Sequence, residues 1–524
     1  MIESLKLSFP LVFGSAAMIL LLTFSLSPER KLDKYPGPLL AKFSRLWLAR
    51  QAGRGNRFQV VHELHKKYGS FVRLAPDHIS ISSPLAIPIV YGHGTGFTKA
   101  DFYDAFVSIR RGLFNTRDRK EHTRKRKIVS HVFSQKNVLE FEEHIQDVID
   151  NLFGKWDAMS RDKKLQTQGF DILDWLNFFA FDVIGSLAFG RPFGMVSAGR
   201  DVAPVSTPAS TSGTASTGKV EHLPAIEILN RRGEYSATMG CIPPLLRPLA
   251  KKLPWFSRGL ESVRKLAGIA IAAVGTRMEL EESGGGADSR DLLSKLMKGK
   301  DENGNPMGRE ELTAEALTQL IAGSDTTSNS SCAILYYLSN NPRVVTKLLS
   351  ELAPVAETKE PGFVSFSCED VKDLPYLQAC IDEALRLHST SAIGLPRIVP
   401  EGGAVVCDEF FPEGMTLSVP AYTVHRDPVV WGEDADAYRP ERWFEQDKAA
   451  MNASFIPFSF GPRSCVGRNL ASMELLLIIS STVQRYSLTP VHPGQALDTA
   501  EGFLRKPTGY LVKMKRRESS IEDQ

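Results

Sequence analysis

The sequence predicts a mainly α-helical protein with small β-sheets, an α+β fold, on three observations. Residues 310–338 contain no proline over about eight helical turns, which indicates one helix long enough to cross a large domain. Residues 173–190 are apolar and aromatic and predict a buried core helix. Apolar positions alternate within 72–81 around a Pro-Asp pair, which predicts a small hairpin early in the chain.

The N-terminal segment is apolar from residue 7 to residue 26 and has no charge between Lys6 and Glu29. It has about the 20 residues that a helix needs to span a bilayer, and the basic residues after it favour a cytosolic location for the rest of the chain. We predict an uncleaved membrane anchor over 1–28, with a cleaved signal peptide as the alternative. A proline-rich hinge is predicted over 29–50, and one large domain over 51–524.

Composition limits the classes of partner and environment. The 63 Lys and Arg residues nearly balance the 60 Asp and Glu residues, so no nucleic-acid partner is expected. The six cysteines have no C-x-x-C spacing and fit a reduced, cytosol-facing environment. Residues 202–218 are rich in Ser, Thr, Pro, Gly and Ala and predict a mobile surface loop; residues 282–288, with three consecutive glycines, predict a second flexible connection.

Seven Lys or Arg residues lie within 117–127, and most of them fit a solvated helix face. His122 and Arg126 are one helical turn apart and can point inward together. The residues then predicted to point outward, as a basic patch for an acidic redox partner, are Arg124, Lys125 and Lys127.

The long predicted helix contains the sequence A-G-S-D-T-T at 322–327. Gly323 and the hydroxyl side chains are weak helix formers in combination, and Ser or Thr can bond back to helix carbonyls. A tolerated polar patch is one explanation. The functional interpretation is a weakened turn that forms a groove for dioxygen and water, with Thr326 as hydrogen-bond donor and Asp325 linked to a proton supply.

The stretch F-S-F-G-P-R-S-C-V-G at 458–467 places one thiol, Cys465, between two glycines. Small residues let the backbone approach a flat ligand, N–H groups stabilise a thiolate, and Arg463 can neutralise an acidic group. A buried, unreactive cysteine would explain the thiol but not the four spaced residue types around it. We therefore predict a haem iron ligated by Cys465.

Four motifs together resemble the cytochrome P-450 superfamily of haem-thiolate monooxygenases. Residues 458–467 form the complete F-x-x-G-x-R-x-C-x-G signature, and 322–327 matches A/G-G-x-D/E-T-T/S. Residues 383–386 match E-x-x-R, and 440–443 match P-E-R-F with Trp for Phe. The resemblance implies the cytochrome P-450 fold, in which a long central helix and the cysteine loop hold haem b, and O2 as co-substrate; a thiolate ligand favours O–O cleavage.

The same resemblance implies roles for individual residues. Cys465 is the implied axial iron ligand, and Thr326 and Asp325 are the implied catalytic residues. The residues implied to contact the haem or its propionates are His122, Arg126, Arg397, Phe458, Arg463 and Gly467, where His122 replaces the family's common Trp. The implied structural triad near the thiolate is Glu383, Arg386 and Arg442.

The sequence contains no G-x-x-x-x-G-K-[ST] nucleotide motif. Electrons are therefore expected from a separate NADPH-dependent cytochrome reductase in the same membrane. The expected location is the endoplasmic reticulum membrane, with a single-pass anchor and the 51–524 haem-thiolate catalytic domain in the cytosol.

From about residue 50 onward the chain looks like the fungal benzoate 4-monooxygenases, most clearly over 102–134, 313–335, 389–397 and 501–507. That family para-hydroxylates benzoate, which needs an aromatic slot and a cation for the carboxylate; Arg110 or Arg111 is the predicted cation. The full predicted substrate set is Phe102, Phe106, Arg110, Arg111, Phe114, Ala322, Ile393, Leu395 and Phe503. The alternatives are a monooxygenase of another aromatic compound or secondary metabolite, and a haem-binding sensor or scaffold without turnover.

Overall fold

The computed structural model describes residues 33–206, 220–282, 291–301 and 303–517. The predicted anchor over 1–28, and most of the two connections predicted at 202–218 and 282–288, lie outside the described residues.

The secondary structure of the described residues is mainly helical, with short strands, as the sequence predicts. The helices are α1 Leu46–Gly53, α2 Arg57–Tyr68, α3 Ala86–Tyr91, α4 Arg119–Val132, α5 Gln135–Leu139, α6 Glu142–Arg161, α7 Lys163–Gln168, α8 Ile172–Phe189, α9 Met195–Ala198, α10 Ala225–Cys241, α11 Arg247–Ala250, α12 Pro254–Glu282, α13 Leu292–Lys298, α14 Arg309–Ser339, α15 Pro342–Glu357, α16 Cys368–Val371, α17 Pro375–Leu387, α18 Ala421–Val424, α19 Pro428–Trp431, α20 Arg442–Glu445, α21 Lys448–Ser454 and α22 Arg468–Arg485. The strands are β1 Phe71–Ala75, β2 His78–Ile81, β3 Thr98–Lys99, β4 Phe170–Asp171, β5 Ala203–Ser206, β6 Val220–Leu223, β7 Arg397–Ile398, β8 Ala404–Val406, β9 Glu409–Phe411, β10 Thr416–Ser418, β11 Tyr486–Pro490, β12 Thr499–Glu501, β13 Arg505–Pro507 and β14 Leu511–Arg516.

The largest sheet among the described residues has five strands in the order β1-β2-β10-β7-β3. The predicted hairpin within 72–81 is confirmed: β1 and β2 pair antiparallel, with Phe71 opposite Ile81. β10 pairs parallel with β2 and antiparallel with β7, which places Arg397 next to the edge strand β3. A smaller sheet joins β11, β14 and β4, and β12 and β13 form a separate hairpin.

The predicted loop over 202–218 is wrong at its start, because β5 pairs antiparallel with β6. Ala203 at the beginning of β5 is completely buried and belongs to the main hydrophobic core. Burial of this residue and strand pairing override the local low-complexity composition.

The two predicted long helices are confirmed as α14 and α8, which pack along each other. α8 is long and apolar enough to cross a bilayer, but 83% of its most apolar window is buried inside the protein. Gly323 of α14 lies against α8, because a Cβ built there would be 2.8 Å from Cδ1 of Ile184. Close packing of two helices therefore accounts for the glycine.

The helix α14 is continuous through 322–327. The hydroxyls of Ser324 and Thr326 donate back to the carbonyls of Leu320 and Ala322 without interrupting it. The expected local opening of this helix is therefore wrong, since such back-bonding is compatible with a regular helix when neighbouring helices pack around it. Any groove at this position is formed by the side chains and not by a broken turn.

Candidate haem and substrate site

The cysteine loop lies between α21 and α22. The backbone N–H of Cys465 donates to the carbonyl of Phe458 at 2.9 Å. Gly461 has a φ of +71°, and a Cβ there would lie 2.0 Å from the carbonyl oxygen of Tyr91, so no other residue fits this turn. The loop therefore fixes the direction in which the Cys465 thiol points, which is into a cavity under α14.

Space remains open on the helix side of this loop. A Cβ built on Gly467 would meet no heavy atom closer than 3.7 Å, where Phe133 lies. Burial raises the pKa of the Cys465 thiol, whereas the Gly467 N–H and the positive charges of Arg126 and Arg468 oppose that rise. Arg126 also donates to the carbonyl of Ser464 at 2.6 Å, which ties the loop to α4.

Four basic side chains converge beside the cysteine loop: Lys99, Arg126, Arg397 and Arg463. Arg397 donates to the Tyr103 hydroxyl at 2.8 Å, and Arg463 donates to backbone carbonyls of the segment before α4. Among the residues that the structure describes, none of the four is ion-paired with a carboxylate. Burial, followed by the charges of the arginines, holds the pKa of Lys99 well below its usual range.

His122 lies within the same positive field. Its pKa is lowered to about 2, first by burial and then by Arg463, Lys99, Arg126 and Arg397, so the ring is neutral. Buried cations without counter-charges are costly unless a ligand supplies the negative charge. The chain thus offers a thiol, an open Gly467 and an unneutralised basic cluster, which together fit a haem with its two carboxylates. Lys99 was missed by the sequence motifs, because a single lysine in a short edge strand carries no recognisable pattern.

A cavity of about 260 Å³ joins the cysteine loop to α14 and α10. Cys465, Thr326 and Asp325 line it. The predicted substrate residues that also line it are Phe106, Arg110, Phe114, Ala322, Leu395 and Phe503.

Three predicted substrate residues do not line this cavity, and their role in substrate binding stays a prediction. Phe102 and Ile393 line a separate, smaller cavity beside α1 and α2. Arg111 forms an ion pair with Asp104 at 2.8 Å and donates to the carbonyl of Asn115. Its charge is thus already neutralised by a residue seven positions earlier in the chain.

The aromatic wall of the cavity consists of Phe106, Phe114 and Phe503. The ring centroids of Phe106 and Phe503 are 4.9 Å apart, those of Phe114 and Phe503 are 5.2 Å apart, and those of Phe106 and Phe114 are 5.7 Å apart. All three pairs meet edge to face, an arrangement that favours a well-defined packing of the rings. The wall suits a planar aromatic ligand.

The α14 residues that face the cavity have distinct environments. The Thr326 hydroxyl donates to the Ala322 carbonyl at 2.6 Å. Burial raises the pKa of Asp325, while Lys506 and a hydrogen bond from Asn329 at 3.2 Å oppose the rise. Thr327 donates instead to the carboxyl of Glu474, at 2.7 Å.

Glu383, Arg386 and Arg442 form one completely buried ion network. Glu383 accepts from Arg386 Nε at 2.9 Å and Nη2 at 2.8 Å, and from Arg442 Nε at 2.8 Å. The second guanidinium edge of each arginine binds backbone carbonyls around 425–437. The network therefore ties α17 to the long connection that precedes the cysteine loop.

The predicted basic patch is wrong for two of its three members. Lys125 is 1% exposed and pairs with Glu311 of α14. Arg124 pairs with Glu121 and Glu311, so both charges hold α4 against α14. Lys127 is exposed as predicted. The periodicity of α4 alone could not reveal the acidic residue Glu311, which α14 places against α4.

The fold and site define a haem-thiolate protein. Residues 35–514 match the cytochrome P450 family, and the chain belongs to this family, whose members use haem, O2 and electrons delivered by a redox partner to oxidise small molecules. The benzoate 4-monooxygenase bphA of Aspergillus niger is 49% identical over 521 residues, which cover 96% of this chain and 97% of the relative. A cytochrome P450 monooxygenase of Aspergillus flavus is 31% identical over 93% of both chains, and the monooxygenase cicH of Emericella nidulans is 30% identical over 93% of this chain and 94% of the relative.

Proposed function

We propose that this enzyme hydroxylates benzoate at the para carbon. Benzoate, O2, two electrons and two protons give 4-hydroxybenzoate and water, with one oxygen atom entering the ring. The observation that carries the proposal is one cavity that joins Cys465 and Thr326 to an aromatic wall of Phe106, Phe114 and Phe503. The 49% identity with the Aspergillus niger benzoate 4-monooxygenase supports the choice of substrate.

Haem b, held by the Cys465 thiolate, supplies the oxygen-activating chemistry when it is bound. The chain contributes the positioning. Arg126, Arg397 and Arg463 would hold the haem carboxylates through charge-assisted hydrogen bonds, Phe458 would line the haem cavity, and Gly467 would leave room for the flat ring.

Proton delivery falls to α14. The buried carboxyl of Asp325 lies within the electrostatic influence of Lys506, whose ammonium is 3.8 Å from Glu234, a residue 57% exposed. Asp325 takes up and releases protons at the cavity wall, and Lys506 and Glu234 are the charged groups between it and solvent. Thr326 holds a hydroxyl at the cavity wall, and its proton, which is donated to the Ala322 carbonyl, would have to turn toward the cavity to serve a bound ligand.

Electrons come from an NADPH-dependent reductase in the endoplasmic reticulum membrane, and residues 1–28 anchor the chain there. The first described segment supports a membrane location, because apolar side chains are exposed on it. They are Leu39, Leu40, Phe43 and Leu46. Deletion of residues 1–28 should release the protein from the membrane fraction; retention in that fraction would contradict the anchor.

Turnover with a supplied reductase and NADPH tests the function. We expect benzoate to be consumed faster than a panel of phenols and neutral hydrophobic compounds. Faster turnover of another aromatic compound would replace benzoate as the substrate. A protein that binds haem and benzoate but forms no product from any member of the panel would indicate a sensor or scaffold.

A further inference from the structure

The helix α10 contributes a buried arginine to the substrate cavity. Arg232 is 6% exposed and lines the cavity that also contains Cys465. Its Nη2 donates to the Phe106 carbonyl at 3.0 Å and to the Ser108 hydroxyl at 3.3 Å. Its Nε is buried without a hydrogen-bond partner. Within the described ranges, neither Nε nor Nη1 has a protein acceptor.

The charge of Arg232 lacks compensation. No carboxylate of the described residues is ion-paired with it, and burial is the cause that lowers its pKa, to about 10. The guanidinium is therefore still charged at neutral pH. Because an unpaired charge in a protein interior is destabilising, an anionic ligand would relieve a cost that the fold carries without it.

Arg232 lies beside the aromatic wall of the cavity. Its Nη2 is bound to the carbonyl of Phe106, whose ring belongs to the aromatic wall. The next residue, Gly233, faces Phe503, since a Cβ built there would be 3.9 Å from the Phe503 nitrogen. The cation and the rings are thus parts of one surface.

The other basic side chains of this region are less suited to the role. Arg110 lines the cavity but is exposed, so water competes for its charge. Arg111 is neutralised by Asp104. Lys506 is within 3.8 Å of Glu234.

We propose that Arg232 binds the substrate carboxylate through Nη1 of its guanidinium, which has no protein acceptor within the described ranges, while Nη2 stays bound to Phe106 and Ser108. The assignment rests on the proposed function for the identity of the ligand as benzoate. A charge-assisted hydrogen bond from a buried guanidinium holds the carboxylate end of the ligand in place. Benzoate is rigid, and its para carbon is the ring atom most distant from the carboxylate. Arg232 thereby selects the position that is oxidised.

The test is a spectral titration of the haem-loaded wild type and of Arg232→Met, with benzoate and with neutral benzaldehyde. Loss of a buried charge partner predicts a benzoate Kd raised by at least about 30-fold. The Kd for benzaldehyde should stay within roughly 3-fold, since its ring contacts are unchanged. Arg111→Met is the matched control, because it removes a nearby guanidinium that is paired outside the cavity, and it should leave both affinities unchanged.

Each outcome decides the assignment. Wild-type benzoate affinity in Arg232→Met, or equal losses for benzoate and benzaldehyde, would overturn it. If Arg232→Met does not retain haem, Arg232→Lys keeps the charge but loses the planar guanidinium that Phe106 and Ser108 hold in place; it should weaken benzoate binding about 10-fold and spare benzaldehyde. An unchanged benzoate Kd in that variant would also overturn the assignment. A wild-type protein that binds neutral aromatics but no benzoate would overturn the proposed function together with it.

Discussion

Removing the charge of Glu383 should destabilise the protein severely. This carboxylate accepts five hydrogen bonds: three come from Arg386 and Arg442, one from the backbone of Arg439 at 3.0 Å, and one from Trp443 at 3.2 Å. In Glu383→Gln, two completely buried guanidiniums would lose their shared counter-charge, and the amide NH2 would face them as a competing donor. Breaking a buried pair in this way costs about 3–5 kcal/mol, against a total stability of roughly 5–15 kcal/mol.

The assay is urea unfolding of the haem-loaded proteins, followed by far-ultraviolet circular dichroism and by haem absorbance. The shift of the midpoint, at an unchanged slope, gives the loss of stability. Glu63→Gln is the matched control: Glu63 and Lys66 have the same three-residue spacing, but their side chains are 67% and 56% exposed. The control should cost less than about 0.5 kcal/mol. If Glu383→Gln lowers the free energy of unfolding by less than about 1 kcal/mol, burial does not make this ion network important for stability.

Further predictions concern the cavity, the cofactor and pH. Thr326→Val should keep benzoate affinity but lower product formation roughly 100-fold while NADPH oxidation continues; unchanged product per NADPH would contradict the role of the hydroxyl. Arg397→Met should speed haem transfer to apomyoglobin by about 10-fold, because one charge-assisted contact is lost; an unchanged rate would exclude Arg397 from the propionate site. Burial raises the pKa of Glu474 to about 7 from 4.5. Between about pH 4.5 and pH 7 the folded protein therefore keeps a proton on this carboxyl that the unfolded chain has released. The stability of the wild type relative to Glu474→Gln should therefore fall as pH rises from about 4.5 to about 7, by up to roughly 3 kcal/mol; parallel pH profiles of the two proteins would contradict this.

The sequence was sufficient for the parts of the site that lie in contiguous motifs. The cysteine loop needs a glycine at 461 because the backbone there has a φ of +71°, and the Glu383–Arg386 pair lies on one helix face. Such constraints act within a few residues and leave a local pattern. The long helices α8 and α14 were predictable for a similar reason, since length and apolar content are visible without the fold.

The remaining features depend on contacts between distant segments. Lys125 and Arg124 have the spacing of exposed residues, yet α14 brings Glu311 to them from 186 and 187 positions along the chain. Arg232 occupies a helix without a motif, and its partner Phe106 is 126 positions away. The division of the predicted slot between two cavities likewise follows from how α1, α2 and α10 pack around Phe102. No periodicity or spacing in the sequence indicates these contacts between distant residues.

Product analysis under isotopically labelled O2 tests the central claim most directly. The haem-loaded enzyme, a reductase and NADPH would be incubated with benzoate. The hydroxybenzoates would then be separated by chromatography, and their masses would be determined by mass spectrometry. We expect 4-hydroxybenzoate as the ring-hydroxylated product, with one labelled oxygen atom on the ring. A product hydroxylated at the ortho or meta carbon, or a hydroxyl oxygen derived from water, would contradict it.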